Sequence, residues 1–312
     1  MIIKSYAKSI HIEAMEQLLK RLSFEHPLYP KIVKDIGAIR AGDFGEEIVF
    51  RELEKMQLPY KYYVFHKVFL FAENGFEMDI LIITPYGAII LEVKNIIGEL
   101  VFTENPSQLL QQKETELNKY PCPAGQLNEY KYQLSQFLLE YNISIPIYGA
   151  VVFASRNSIV KVSTDKATIL NRNEVRPYLR RLQNLNPTLT IEDIEKLKDI
   201  LLIKNTSNTY SPLINQFSIK AEDLKKGVEC LNCGLIGMQK RKRTWYCAAC
   251  GKSDHTAHMK AISTYFLLCN DFITNKECRE FLLLNNRHEA KRILSNTSLT
   301  RVGNNKLTRY TK

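Results

Sequence analysis

The period of the apolar residues changes several times along the chain, and each change predicts an element. In IEAMEQLLKRL, Ile12, Met15, Leu18, Leu19 and Leu22 recur at helical spacing, so residues 1–40 read as a mainly helical N-terminal extension. A second amphipathic helix is expected over 42–56, with Val49, Phe50, Leu53 and Met56 on its buried face. Residues 62–71 alternate and are rich in aromatic and β-branched side chains, which predicts a strand. Two more strands are expected at 76–84 and 88–94, split by Pro85-Tyr86-Gly87, where proline presets φ and glycine frees it. After a polar, glutamine-rich interval, helical spacing returns over 125–141, and IYGAVVFA at 147–154 reads as a buried strand. Thr190 with Asp193 then caps a helix carrying Ile194, Leu197 and Leu201. Strands and helices mixed in this order predict an α/β domain over 41–204, built on one central mixed β-sheet flanked by helices.

The small polar residues and proline of NTSNTYSPLIN mark a linker, taken as 205–225. A cysteine-rich module follows at 226–259. In 260–312, helices are expected at 261–269, from Thr274 with Glu277 completing a capping box, and near 287–294. The end, SLTRVGNNKLTRYTK, reads as two short strands around 303–306. Three helices and a basic hairpin resemble a winged helix; a small helical cap on the cysteine module is the plainer alternative.

Composition narrows the class. The longest apolar runs, 80–83 and 88–91, fall far short of the roughly 18 residues that span a bilayer, and 45% hydrophobic content over 312 residues suits packed domains. The N-terminus lacks the continuous apolar stretch of a signal peptide, so a cytoplasmic protein with no membrane partner is the expectation. Charge is uneven: residues 1–218 hold 25 Lys+Arg against 25 Asp+Glu, whereas 219–312 hold 18 against 8 and supply the whole net +10. A basic surface confined to the last third is the footprint of polyanion binding, against the alternative of an ordinary solvated face.

Three charged residues sit inside strand sequence. In MDILIITPYGAIILEVKN, Asp79, Glu92 and Lys94 interrupt two apolar runs. With a two-residue loop at Pro85-Tyr86, antiparallel partners sum to 171, which sets Asp79 opposite Glu92. Glu92 and Lys94 share one face of their strand. Two carboxylates in apolar surroundings need a cation. Either Lys94 alone supplies it, in a buried salt-bridge cluster, or a divalent ion sits between them, as the oxygen donors suit Mg²⁺.

Asp79, twelve residues, then Glu92-Val93-Lys94 resembles the D…E-x-K signature of the PD-(D/E)xK nuclease superfamily. GDFGEEIVFREL, MDILIITPYGAIILEVKN and Gly98 resemble, more narrowly, the nuclease-related domain, NERD, over about 41–180. Met78 stands where the superfamily has proline. The resemblance implies a restriction-endonuclease-like fold and metal-assisted phosphodiester hydrolysis, with Mg²⁺ or Mn²⁺ on Asp79 and Glu92. It implies an acidic residue from the preceding helix, Glu46 or Glu47. Helical spacing favours Glu46, on the face of Val49, Phe50 and Leu53, while Glu47 aligns with Arg51 and Glu54 in a surface salt bridge. Gln126, in PCPAGQ, stands for the family's glutamine, although the residues around it depart from the family pattern; helix capping is its ordinary alternative. Lys94 is expected to position or deprotonate the attacking water, its amine made easier to deprotonate by a low dielectric.

Cys230, Cys233, Cys247 and Cys250 form two C-x-x-C pairs across 13 residues, each followed by glycine, and provide four thiolates for one structural Zn²⁺. His255 and His258 are read as neighbours rather than ligands. Between the pairs, Lys240, Arg241, Lys242 and Arg243 precede Trp245, which suits phosphate contact and base stacking, or a solvated turn over a tiny core. Arg287, Lys291 and Arg292 are expected to face a major groove, with Arg301, Lys306 and Arg309 on the backbone. The leading expectation is a metal-dependent nuclease acting on DNA. The rivals are a non-catalytic DNA-binding or regulatory protein that keeps the fold, and a zinc-containing protein that binds RNA or another protein.

Overall fold

The computed structural model describes residues 1–113, 116–206, 211–304 and 308–312. Strand β1 (Ile2–Lys4) is followed by helices α1 (Ile10–Arg21) and α2 (Tyr29–Glu54). Contacts divide the chain into two units, one of residues 1–8 and 39–208, the other of residues 9–38 and 209–312. The boundary at residue 40 falls inside α2.

In the first unit, β1 lies parallel to β2 (Tyr63–Phe71). Next come β3 (Gly75–Thr84), β4 (Gly87–Lys94), β5 (Gly98–Glu104), β6 (Ser107–Lys113), β7 (Glu116–Pro121), α3 (Pro123–Leu139), β8 (Ile147–Phe153), β9 (Ser158–Val162), β10 (Thr168–Asn171), α4 (Val175–Arg181) and α5 (Ile191–Lys204). The main sheet runs β1-β2-β3-β4-β8-β10, antiparallel across β2-β3-β4 and parallel at both sides. One face packs against Val49, Phe50 and Leu53 of α2 and Val175 and Leu179 of α4. The other packs against Leu127, Leu134 and Phe137 of α3 and the capped helix α5. This is the mixed sheet between helices that the alternating pattern predicts.

The glutamine-rich interval, read as polar chain, forms β5, β6 and β7, which with β9 make a second sheet ordered β7-β6-β5-β9. Leu100, Phe102 and Leu109 bury one side of it in the core shared with α3. Gln111 is buried as well, donating from Nε2 to the Ile97 carbonyl at 2.7 Å and accepting from Asn118 and Tyr120 at 3.0 Å. A satisfied buried amide thus occupies a position that polarity alone assigns to solvent.

The second unit adds α6 (Leu213–Phe217), inside the 205–225 segment, and then β11 (Val228–Glu229), β12 (Ile236–Lys240), β13 (Trp245–Tyr246) and β14 (Ser253–Asp254), an antiparallel ribbon in that order. Helix α7 (Ala257–Leu268), β15 (Phe272–Thr274), α8 (Asn275–Leu282), α9 (Arg287–Ser295), β16 (Thr300–Val302) and β17 (Arg309–Thr311) complete it. Their order and the sheet β15-β17-β16 are those of a winged helix. The Thr274–Glu277 capping box forms as expected. Ribbon and helices share one core that includes Val228, Trp245, Tyr265, Phe281 and Leu294. Helix α1 belongs to it: Arg21, 1% exposed, donates to the carbonyls of Lys225 and Gly227 and lies 4.7 Å from the Phe281 ring centre. No helix among the described residues is long and apolar enough to cross a membrane.

Candidate active site and metal centre

The β3–β4 turn closes with Thr84 opposite Gly87, the two-residue loop expected from Pro85-Tyr86, and every pair to Ile80–Leu91 sums to 171. The ladder stops there, one pair short of Asp79 and Glu92. The cause lies in β2 and β3 together. Along β2 the side chains entering the α3 core are Tyr63 and Phe65, then Val68 and Leu70; along β3 they are Phe76 and Met78, then Leu81 and Ile83. Both alternations slip by one residue, at Lys67 and beside Asp79, which fall between the His66–Ile80 and Val68–Met78 pairs and are not themselves paired in the β2–β3 register. Lys67 takes a left-handed φ of 48°, an uncommon conformation for a residue with a side chain. The distortion lets the Asp79 carboxylate, rather than a backbone carbonyl, accept the Val93 N–H at 2.8 Å.

Glu92 and Lys94 point to the α3 side, on the face of Ala88 and Ile90. Lys94 Nζ donates to Glu92 Oε1 at 2.6 Å and to Gln126 Oε1 at 3.1 Å. Gln126 Nε2 donates to the Tyr130 hydroxyl at 2.8 Å, so one turn of α3 orients the amide. Three residues separated by up to 34 positions, Glu92, Lys94 and Gln126, therefore meet.

On the opposite side, α2 supplies Glu46. His66, fully buried, accepts the Ala7 N–H at Nδ1, 3.3 Å, which leaves the ring proton on Nε2 for Glu46 Oε2 at 3.0 Å. Lys67 Nζ lies 3.1 Å from the same Glu46 oxygen and 3.3 Å from Asp43. Asp43 in turn accepts from the Tyr6 hydroxyl at 2.6 Å. Glu47 instead pairs with Arg51 on the surface. The helix reaches this position because residue 45 is glycine: a Cβ there would stand 2.5 Å from the Asn95 Cβ, and Asn95 Nδ2 donates to the Ala41 carbonyl at 2.7 Å. Sequence reasoning missed His66, Lys67 and the Gly45–Asn95 contact; a lone histidine beside a lysine in an otherwise apolar strand, and a glycine within a helix, were the available signals.

Burial, then the charges of Glu92 and Glu46, push the Asp79 carboxyl well above its ordinary range. Glu92 is raised too, by burial and Glu46, with Lys94 opposing. For Lys94, burial works downward, but Glu92 and then Asp79 outweigh it, and the ammonium is held more firmly than in water. The expectation of an easily deprotonated amine is thus overturned: two adjacent carboxylates defeat the low dielectric. Glu92 Oε2 is buried without a hydrogen-bond partner among the described residues, an acceptor suited to a cation. Asp79, Glu92 and Glu46 are oxygen donors of the kind Mg²⁺ or Mn²⁺ takes, but as they stand their oxygens do not close to within 4.8 Å of one another.

The four cysteines do close to that distance, alone among the described residues. Sγ atoms of Cys230 and Cys250, and of Cys233 and Cys247, are 3.6 Å apart. Tetrahedral zinc with bonds of about 2.3 Å requires about 3.8 Å between sulfurs. The two halves repeat one turn: Gly234 N–H donates to the Cys230 carbonyl and Gly251 N–H to that of Cys247, at φ of 74° and 72°. Leu235 N–H and Lys252 N–H point at the sulfurs of Cys233 and Cys250. The set can hold a metal such as zinc. His255 bonds the Arg243 carbonyl and His258 accepts from Trp245 Nε1 at 3.1 Å, so neither turns to the thiols.

Trp245 is 1% exposed in the core of the second unit, so it cannot offer a face to a base. A ribbon this small needs one large side chain, and its indole N–H is satisfied inside. Arg241, Lys242 and Arg243 are exposed, with Arg241 stacked 3.5 Å from the Tyr246 ring centre. Lys240 is mostly covered, above Trp245 and 3.5 Å from Glu289. Arg287, Lys291 and Arg301 line one cavity, while Arg292 borders another with Lys240 and Arg243. Arg309 covers the Phe272 ring, and Lys306 lies outside the described residues.

No curated protein and no solved structure matches the chain. The segment that carries Glu46, Asp79, Glu92, Lys94 and Gln126 is nuclease-related in sequence: residues 41–154 match the family model of the nuclease-related domain, NERD.

Proposed function

We propose that the first unit hydrolyses phosphodiester bonds in nucleic acid, with DNA as its substrate, and that the basic second unit binds the nucleic acid. The observation that carries this reading is the meeting of Lys94, Glu92 and Gln126 beside Asp79, with one Glu92 oxygen left unpartnered in a buried position. A fold kept only for packing gains nothing from two carboxylates raised by burial and mutual repulsion.

Asp79 and Glu92, with Glu46, would hold a divalent ion. The chemistry such an ion would supply is that of a Lewis acid toward the phosphate and of a more acidic attacking water. Lys94, kept as an ammonium by its carboxylate neighbours, offsets negative charge that develops on the phosphoryl oxygens and donates a hydrogen bond toward the attacking water. Gln126, fixed by Tyr130, keeps Lys94 aimed. His66 and Lys67 hold Glu46 in place through one shared oxygen. In the second unit a structural zinc would tie the two cysteine turns together, with no coordination position open for chemistry.

The test is incubation of the full chain with single- and double-stranded DNA and RNA in Mg²⁺, Mn²⁺ or EDTA, beside Asp79→Ala and Lys94→Ala. Metal-dependent cleavage that disappears in both variants supports the assignment. Cleavage that survives both removes the site, and no cleavage by the wild-type chain under any condition supports a binding-only protein.

A further inference from the structure

The basic residues of the second unit fall into two classes according to their partners. Lys240 and Arg292 both approach Glu289, at 3.5 and 3.6 Å, and Arg309 stacks on Phe272. Those cations are compensated within the fold. A different set is not. A cavity of about 770 Å³ lies among the start of α8, the start of α9 and the β16–β17 hairpin, and Arg279, Arg287, His288, Lys291, Arg301 and Tyr310 are among its walls. No aspartate or glutamate among the described residues lines it. Among the described residues no ion pair reaches Arg279, Arg287, Lys291 or Arg301, and Arg279 Nε is buried with no hydrogen-bond partner.

Four cations gathered in one concavity repel one another, and a buried guanidinium nitrogen without an acceptor adds a desolvation cost. An anion entering the cavity relieves both. Arginine forks match phosphate oxygens in pairs, and the volume is that of pockets that enclose a ligand of nucleotide size or above. Cations from three separate elements exceed what one phosphate can engage, which suits consecutive phosphates of a strand.

We propose that this cavity seats two or three successive backbone phosphates of a nucleic-acid strand, with Arg279, which the sequence did not single out, as its deepest contact. The inference rests on the reading that the second unit binds nucleic acid, and it is independent of cleavage in the first. Removing one cation that engages a phosphate should lower the slope of log affinity against log salt by about 0.7 for a single strand or 0.9 for a duplex, and weaken binding about fivefold at physiological salt.

The experiment measures fluorescence anisotropy of labelled single- and double-stranded oligodeoxynucleotides with the full chain carrying Asp79→Ala, across a salt series. Arg279→Met, Lys291→Ala and the double variant are compared with Lys276→Ala, an exposed lysine of α8 outside the cavity that pairs with Glu280. Far-UV circular dichroism confirms folding, and Arg287→Ala replaces Arg279→Met if that variant does not fold. A stepwise fall in slope for the cavity variants, with Lys276→Ala unchanged, supports the pocket. A double variant that keeps the wild-type slope overturns it, as does an equal loss in Lys276→Ala. Cleavage by the chain with Asp79 intact, together with an unchanged slope in the double variant, would refute the pocket alone; a reduced slope in the double variant, with no cleavage by the chain with Asp79 intact, would refute the nuclease alone.

Discussion

Replacing Gly45 with alanine adds one methyl group where α2 passes Asn95. The new Cβ would stand 2.5 Å from the Asn95 Cβ, 3.2 Å from its Cγ and 3.3 Å from the Ala154 Cβ. Carbon atoms rest comfortably at about 3.5–4.0 Å, so the helix or the end of β4 must yield by about 1 Å. Overpacking of this kind costs about 1–3 kcal/mol, against about 1 kcal/mol recovered because alanine is the better helix former. The packing cost wins. Gly42 supplies the control: it lies in the same helix, and nothing stands within 4 Å of its Cβ position, so Gly42→Ala should stabilise by about 1 kcal/mol. The same substitution three residues apart should therefore act with opposite sign. Glu46 follows Gly45 directly, so a shift of about 1 Å should also cost roughly 100-fold in turnover and weaken manganese binding, whereas Gly42→Ala should leave both intact. Urea midpoints by far-UV circular dichroism and manganese titration calorimetry read the two effects. Equal stability of the two variants, or wild-type manganese affinity in Gly45→Ala, would refute the close-approach argument.

Other substitutions probe the same balance of charges. Lys94→Ala strands Glu92, whose side chain is 1% exposed, and should destabilise by about 3 kcal/mol; adding Glu92→Gln should restore most of the stability and none of the activity, measured by urea denaturation and cleavage. Asp79→Asn in EDTA should be more stable than wild type at pH 7 by about 1 kcal/mol, and so melt higher, as expected where function opposes stability. Because the folded carboxyl is raised, its cost is fully present above the folded pKa and fades as pH falls to the ordinary carboxylate range; the gain should vanish near pH 4. A melting difference independent of pH would exclude the proposed repulsion. Cys233→Ser should drop zinc from about one per chain to none and lower the melting temperature, whereas a metal-free wild-type chain that remains folded would remove the zinc assignment.

The hairpin that carries Asp79, Glu92 and Lys94 was legible because two local signals agreed: a Pro-Tyr-Gly turn and β-branched runs on either side. The helix caps at Thr190 and Thr274 were legible for the same reason. What escaped depended on contacts distant in sequence. Gln111 looks like loop until its three partners are known. The slip at Lys67 and Asp79 changes which residues face α3, and no simple alternation encodes it. The direction of the Lys94 shift turned on two carboxylates outweighing burial, a comparison of magnitudes that residue type alone does not settle. Trp245 read as a stacking platform because basic neighbours surround it in sequence, yet the same side chain closes the ribbon's core.

The discontinuity of the second unit bears on how the chain is made. Helix α1 is synthesised well before its partners: the carbonyls that receive Arg21 come 204 and 206 residues later. At about 5–20 residues per second, the ribosome needs roughly 10–40 s to deliver them. For that time Ile12, Met15 and Leu18, all buried in the finished protein, have no partners from the end of the chain to cover them. Residues 10–21 can therefore find their place only after Lys225 and Gly227 have been made, and their apolar face waits uncovered until then.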